Sequence, residues 1–159
     1  MDKLLKLLDE NARLTNAQLA SMLGTSEQDV ANKIKELEKD GVIRGYKPIV
    51  NWEKAGRECV TALIELKVTP KRALGFDEIA RTILAFDEVE SVYLMSGGYD
   101  LAVTVNGKTF QELAMFVAKR LSPLDDVLST ATSFVLRPYK RGGRLYLAEE
   151  PDERECTVL

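Results

Sequence analysis

Two sets of side chains in this sequence have types and spacing suited to recognition. In the first, Gln28, Asn32, Lys35 and Lys39 recur every three or four residues, with Lys33 and Glu36 on the flanks. At about 100° per residue they share one helix face, opposite Val30, Ile34 and Leu37. Amide side chains pair bidentately with adenine in the major groove, worth roughly 1–3 kcal/mol of discrimination each. Lys33, Lys35 and Lys39 suit phosphates. Any one of these residues is equally at home on an ordinary solvated helix face. Arg44 and Lys47, a little further on, are placed either for phosphate contact or as plain surface charge. In the second set, Gly97 and Gly98 permit positive φ and close backbone approach, exposing amide donors able to hold a carboxylate. Asp100 is a natural partner for an amino group, or else a turn-capping aspartate. Thr130 and Thr132 offer hydroxyls from the neighbouring strand, or serve as β-branched sheet formers.

What the sequence lacks narrows its chemistry. Its 159 residues contain no histidine. No Ser-His or Cys-His nucleophile, His-ligated zinc or haem site is available, and no side chain has an ordinary pKa near neutral for general-base work. Cys59 and Cys156 match no metal spacing and read as one packed thiol and one tail thiol. No cofactor or metal is expected, and the emphasis moves from catalysis to binding. No run of residues is long and apolar enough for a membrane, and the charged start, Met1-Asp2-Lys3-Leu4-Leu5-Lys6, lacks a signal-peptide core; a cytoplasmic protein is expected. The formal charge of −3, taken over the whole chain, argues against a nucleic-acid partner. By region the objection weakens. Residues 1–50 carry equal numbers of basic and acidic groups, and most of the excess acid lies in residues 141–159.

Three short helices should position the first set. Leu4, Leu5 and Leu8 give the first an apolar stripe. Thr15 with Gln18 three residues on is a capping-box pattern for the second, whose buried side is Leu19, Met22 and Leu23, and Gly24 ends it. Thr25 and Ser26 offer N-cap oxygens to the third, with Glu27 and Asp29 beside its positive end. That helix stops at Asp40-Gly41. Val42 to Tyr46 reads as a short strand. Two helices joined by a short turn, then a strand, form a winged helix-turn-helix pattern, with a plain three-helix packing unit as the alternative.

The second set lies on a different pattern. After a mixed linker from 48 to 59, Val60, Ala62, Ile64, Leu66 and Val68 alternate on a strand. Phe76, Ile79, Ala80, Ile83 and Leu84 mark a helix. Val89 to Met95 is a strand, Ser96 to Asp100 a turn, and Leu101, Val103 and Val105 a third strand. Thr109 with Glu112 caps a second helix marked by Phe110, Leu113, Ala114, Val117 and Leu121. Val127 to Arg137 is the fourth strand. The order β-α-β-β-α-β is ferredoxin-like, an antiparallel sheet with both helices on one face. The other face keeps nonpolar side chains such as Leu63, which favours self-association at least to a dimer. The expected fold class is therefore α+β. A winged helix-turn-helix domain spans 1–47, a linker 48–59, a ferredoxin-like domain 60–140 and a tail 141–159. The tail should hold a short extra strand and a frayed acidic end.

These features, in this order and at this length, resemble the Lrp/AsnC (feast/famine) family of transcriptional regulators over about residues 1–138. Leu14-Thr15-Asn16-Ala17-Gln18-Leu19-Ala20 is similar to the family's second helix. Thr25-Ser26 with the Val30/Ile34/Leu37 stripe is similar to its recognition helix. Leu37-Glu38-Lys39-Asp40-Gly41-Val42-Ile43-Arg44-Gly45-Tyr46, the most specific stretch, is close to its helix end and wing. Ser96-Gly97-Gly98-Tyr99-Asp100 resembles the family's effector loop, and Thr130-Ala131-Thr132 its fourth-strand threonines. The resemblance implies a cytoplasmic regulator that binds double-stranded DNA as a homodimer and assembles further, for example into an octamer. Its second, RAM-type domain would take a small effector, usually an amino acid. DNA contacts would come from Thr25, Ser26, Gln28, Asn32, Lys33, Lys35, Lys39 and Arg44, and effector contacts from Ser96, Gly97, Gly98, Tyr99, Asp100, Thr130 and Thr132. Asn32 and Glu36 stand where family members often carry basic residues, and Gly98 where the loop is usually acidic. The alternative is a ligand-sensing or assembly module with weak or lost DNA binding. Certain tetrapyrrole-modifying decarboxylases resemble the same arrangement, but they rely on histidine.

Overall fold

The computed structural model describes residues 2–70 and 75–146. The chain forms two compact units that divide between Pro48 and Ile49. The first holds α1 (Asp2–Glu10), α2 (Asn16–Leu23) and α3 (Glu27–Lys39). The second holds β1 (Val60–Val68), α4 (Asp77–Leu84), β2 (Val89–Leu94), β3 (Leu101–Gly107), α5 (Phe110–Phe116) and β4 (Val127–Phe134), then a small hairpin of β5 (Lys140–Arg141) and β6 (Arg144–Leu145). Among the described residues no helix is long and apolar enough to cross a membrane. Cys156 and the acidic end lie outside the described residues.

Local chemistry sets the limits of the first three helices. The backbone N–H of Gln18 donates to Thr15 Oγ1 at 3.2 Å, and that of Thr15 to Gln18 Oε1 at 2.9 Å, closing the capping box of α2. Gly24 ends α2 in the left-handed region (φ 67°), where a side chain would be strained. Leu4, Leu8, Leu19, Ala20, Val30 and Leu37 form the buried core, with Leu5, Leu23 and Ile34 packed against it. Met22, expected inside, is exposed, and Ala20 takes its place. Both phases of the short stripe contain Leu19 and Leu23. The one that packs presents the smaller residue, which lets neighbouring helices approach.

Val42–Tyr46 is not a strand. The first unit holds no second strand to complete a ladder, and the N–H groups of Val42 and Ile43 both donate to Leu37 O, at 2.9 and 3.1 Å, in closing α3. The chain then runs on irregularly, and the Tyr46 hydroxyl ties it back to α3 by donating to Glu38 Oε1 at 2.9 Å. The phenol pKa is raised above its ordinary value, first by burial and then by the bond to, and the charge of, Glu38.

The sheet of the second unit has the order β2-β3-β1-β4, antiparallel throughout, as the ferredoxin-like order requires. Ala62, Ile64, Leu66, Leu101, Val103 and Val105 meet Ile79, Ile83, Leu113, Phe116, Val117 and Leu121 in one core, so both helices cover the same face. The last helix departs from expectation. Ala114 is exposed and Phe110 half exposed, whereas Phe116 is buried edge-on against Phe86. Phe110 instead stands edge-on to Phe134 at its end of the sheet. Beyond Phe116 the helix widens to a π turn over Val117–Leu121, which keeps Val117 and Leu121 inward. Leu84 is exposed as well, β2 stops at Leu94 and β4 at Phe134. On the open face, the register sets Tyr93, Ala102, Glu65 and Ala131 in one row, with Leu63 between Thr104 and Ser133 in the next. Leu63 and Tyr93 are exposed there, the apolar open face that the alternation predicts. Cys59 is exposed, not packed.

These burials are testable one by one. Leu19→Ala should cost about 2–5 kcal/mol in urea unfolding, and Met22→Ala no more than about 0.5. Equal losses at the two positions would show that α2 packs by its other face.

Candidate functional site

The first candidate surface is the outer face of α3. Val30 and Leu37 are buried on the inner side, which leaves Gln28, Asn32, Lys35 and Lys39 exposed on the other. The structure thus brings the expected stripe together on one helix face. Its members differ in what already engages them. Gln28 Nε2 donates to Asn32 Oδ1 at 3.0 Å. Lys33 Nζ lies 2.7 Å from Glu36 Oε2, so its charge is matched by a neighbour before any phosphate arrives. Lys35 and Lys39 have no such partner among the described residues. Arg44 is exposed, and its guanidinium folds over the Gly41 turn.

Thr25 and Ser26 stand at the start of α3, with Ser26 as the N-cap. The Asp29 N–H donates to Ser26 Oγ at 3.1 Å, while Ser26 Oγ and Thr25 Oγ1 donate to Asp29 Oδ2 at 2.6 and 3.3 Å. Both hydroxyl protons are committed to the carboxylate, so outward the two residues offer lone pairs. The hydrogen bond from Ser26, then that from Thr25, holds the exposed Asp29 carboxyl below its ordinary pKa.

The second candidate surface is the loop between β2 and β3. Met95 N donates to Asp100 O at 2.8 Å, which closes the base of the loop, and Asp100 N to Leu66 O at 2.9 Å, which ties it to β1. Asp100 Oδ2 accepts from the Val68 N–H at 2.9 Å, so this oxygen caps the end of β1. The turn-capping reading of Asp100 therefore describes one oxygen, and Oδ1 has no hydrogen-bond partner among the described residues. Ser96, Gly97 and Gly98 are exposed, with Tyr99 half-buried beside Asp100. The freedom of φ that both glycines permit is used little here. Gly98 does not adopt positive φ, and Gly97, at φ 158°, is nearly extended. A side chain built at either meets nothing within 4 Å.

Thr130 and Thr132 are not on a strand neighbouring the loop. β4 pairs with β1, and β1 separates it from β3. Thr130 pairs with Leu66 and Thr132 with Ile64, so both threonines share the helix-covered face with those core residues. Thr130 Oγ1 lies 3.4 Å from Ser122 Oγ at the end of the π turn. Of the two, Thr130 is nearer the loop end of the sheet.

Further features were not legible as a site. An open groove of about 540 Å³ runs between α1 and the segment after α3, lined by Leu5, Leu8, Ala12 and residues 42–47 among others. It contains none of the expected effector residues. In the second unit, Arg141 Nη2 donates to Glu90 Oε1 and Oε2 at 3.0 and 2.8 Å, Asn106 Nδ2 donates to Glu90 Oε2 at 2.8 Å, and Thr61 Oγ1 donates to Asn106 Oδ1 at 2.7 Å. This chain of polar contacts fastens the β5–β6 hairpin to the sheet. Its members lie far apart in sequence, in no pattern that could have announced them.

A helix-turn-helix with a polar outer face, followed by a ferredoxin-like sheet, defines a class, the DNA-binding transcriptional regulators with a ligand-binding domain. Comparison with known proteins makes the assignment particular. The family model described as winged helix-turn-helix DNA-binding matches residues 3–44, and that of the Lrp/AsnC ligand binding domain matches residues 61–145. The chain belongs to the Lrp/AsnC family. It is 46% identical over 153 residues to a Bacillus subtilis protein described as the uncharacterized HTH-type transcriptional regulator YugG, spanning 96% of this chain and 92% of that one. It is 30% identical over 143 residues to the HTH-type transcriptional regulator Ptr1 of Methanocaldococcus jannaschii, spanning 90% and 94%. Among solved structures, the transcriptional regulator NMB0573 of Neisseria meningitidis, in complex with L-Met, superposes with a TM-score of 0.72 at 26% identity, over 87% of this chain and 89% of that one.

The cap of α3 gives the pH test. A lowered carboxyl pKa contributes stability that is present above the ordinary value of 3.8 and lost as pH falls through the folded one. Ser26→Ala should cost about 1 kcal/mol at neutral pH. It should also return the Asp29 carboxyl, followed by NMR, toward its ordinary titration. An unchanged Asp29 titration in the variant would refute the assigned cause.

Proposed function

We propose that this regulator binds double-stranded DNA through the outer face of α3 and takes an amino acid as effector at the β2–β3 loop of a homo-oligomer. The observation that carries the DNA contact is the stripe itself. Two amides and two lysines without ion-pair partners among the described residues project from one face of the second helix of a helix-turn-helix. On this reading Lys35 and Lys39 meet phosphates, Gln28 and Asn32 meet base edges, and Arg44 adds a phosphate contact beyond the helix. Lys33 contributes less, because Glu36 competes for it. The Thr25 and Ser26 hydroxyls act as acceptors only.

For the effector, the exposed backbone of Ser96, Gly97 and Gly98 supplies amide donors for a carboxylate, and Asp100 Oδ1 can accept from an ammonium group, with Tyr99 alongside. Thr130 and Thr132, on the helix-covered side of β4, support this site less directly. The L-Met complex of the Neisseria meningitidis relative supports the amino-acid class. The apolar open face of the sheet supports self-association to a dimer, and exposed Leu94 and Leu128 on the edge strands suit larger assemblies such as an octamer.

A second reading, a sensing or assembly module with weak or lost DNA binding, draws on the Lys33–Glu36 pair and on Glu27 and Asp29 at the helix start. One assay separates the two. DNA affinity measured from low to moderate salt should fall steeply for the native chain. Lys35→Ala with Lys39→Ala should flatten the slope by about one unit per lysine for each bound protomer. Failure of the native chain to retain any duplex at low salt would favour the second reading.

The effector is tested separately by thermal shift against the twenty amino acids. One or a few should raise the midpoint, and Asp100→Asn should abolish that rise. If no amino acid stabilises the protein, the proposed effector class is wrong.

A further inference from the structure

The two amides of the α3 stripe are joined to each other. Gln28 and Asn32 lie one turn apart, both exposed, with Gln28 Nε2 donating to Asn32 Oδ1 at 3.0 Å. A lone amide offers a carbonyl oxygen and an amino group, and by turning over it exchanges them. The bond between these two removes that independence. With Gln28 as donor, the ends directed away from the shared bond are the Gln28 carbonyl oxygen and the Asn32 amino group. Reversing the bond requires both amides to turn over together, which again leaves one carbonyl oxygen and one amino group, now in the opposite order along the helix. While the bond holds, the pair cannot turn two amino groups or two carbonyl oxygens outward.

This restriction matters in a major groove. There the exocyclic amines of adenine and cytosine are donors, while purine N7, guanine O6 and thymine O4 are acceptors. Residues four apart are separated by about 6 Å along the helix, more than the rise of one base pair, which gives the two outward ends the reach to meet different base pairs. The remaining members of the stripe are lysines, which hold phosphates without regard to sequence. Resting on the reading that α3 carries the DNA contacts, we propose that Gln28 and Asn32 read two neighbouring base pairs of the operator as one coupled unit, one end donating and the other accepting. The protein's base preferences at those two positions are then interdependent. A base change at one position that calls for an amide to turn over also reverses what is presented to the other.

The test uses the full-length chain. Its preferred duplex is selected from a randomised library, and affinities are then measured for every single and double change at the contacted positions, at one fixed salt concentration. The native protein should show two adjacent positions where a wrong base costs about tenfold and where the double change costs clearly less than the product of the single ones. Gln28→Ala and Asn32→Ala should each relax both positions at once. The double variant should discriminate no worse than either single one. All three should keep the native salt dependence, since the lysines are untouched, and native unfolding, since both residues are exposed and alanine favours a helix. Two variants that each relax a different position independently would overturn the coupling, as would a site whose preferences ignore both substitutions. Native protein that binds no duplex would instead overturn the reading of α3 on which the coupling rests.

Discussion

The second unit depends on the central position of β1. Lying between β3 and β4, it is hydrogen-bonded along both edges, and its alternating side chains decide which face of the sheet is covered. Ala62, Ile64, Leu66 and Val68 all point to the helices and are buried. A slip of one residue in either pairing would turn this row to solvent and bring Leu63, Glu65 and Lys67 under the helices. The register is therefore fixed by burial, and the register in turn fixes the loop. Leu66 and Val68 are the residues that hold Asp100, one through its N–H and the other through its carboxylate. The loop proposed to take the effector is thus fastened to the central strand of the unit. The same register sets Thr130 beside Leu66, and so places its hydroxyl on the covered side of the sheet.

In the first unit the corresponding constraint is that α3 serves two surroundings at once. Its inner stripe must be apolar for three short helices to share a core, since helices of this length are marginal without tertiary packing. The outer stripe is then free of any structural demand. Capping also leaves a mark on function. Ser26 Oγ takes the Asp29 N–H of the first turn and the Asp29 carboxylate holds the Ser26 and Thr25 hydroxyls, but this leaves a carboxylate at the end of the helix that a nucleic acid would otherwise favour. Stability at the helix start and attraction to phosphate oppose each other here, and the lysines toward the C-terminal half restore the balance.

Much of this was legible from periodicity and capping chemistry, which act over a few residues. The capping box at Thr15 and Gln18, the stop at Gly24, the β1 alternation and the β-α-β-β-α-β order are all short-range signals, and the structure contains each of them. What the sequence could not show depends on partners far along the chain. Met22 and Ala20 were interchanged because a short stripe fits two phases and only a neighbouring helix chooses between them. Ala114 and Phe116 were interchanged because the choice depends on Phe86, some thirty residues earlier. Val42–Tyr46 has the composition of a strand, but composition does not supply a second strand to pair with. The placement of Thr130 and Thr132 required knowing that β1 lies between β4 and the loop. The bond between Gln28 and Asn32 is local, yet it follows from side-chain rotamers and not from spacing alone, and several other pairings were open to both residues.

The charge distribution links what the two units do. Residues 1–50 are electrically neutral, and of the three lysines on α3 one is paired with Glu36. A helix-turn-helix so arranged neutralises few phosphates, so on the proposed reading one protomer holds DNA weakly, and a steep salt dependence needs several protomers on one duplex. Useful affinity then requires several recognition helices on one duplex, where each bound copy raises the effective concentration of the next. The open sheet face, with Leu63 and Tyr93 exposed, is suited to supply that linkage. On the proposed reading, a weak reader carried by a sheet with an apolar open face is also a controllable one. An effector that alters assembly need not touch α3 to change occupancy of DNA, because occupancy depends on how many copies are joined. On that reading, the modest charge of the first unit is what allows the second to govern it.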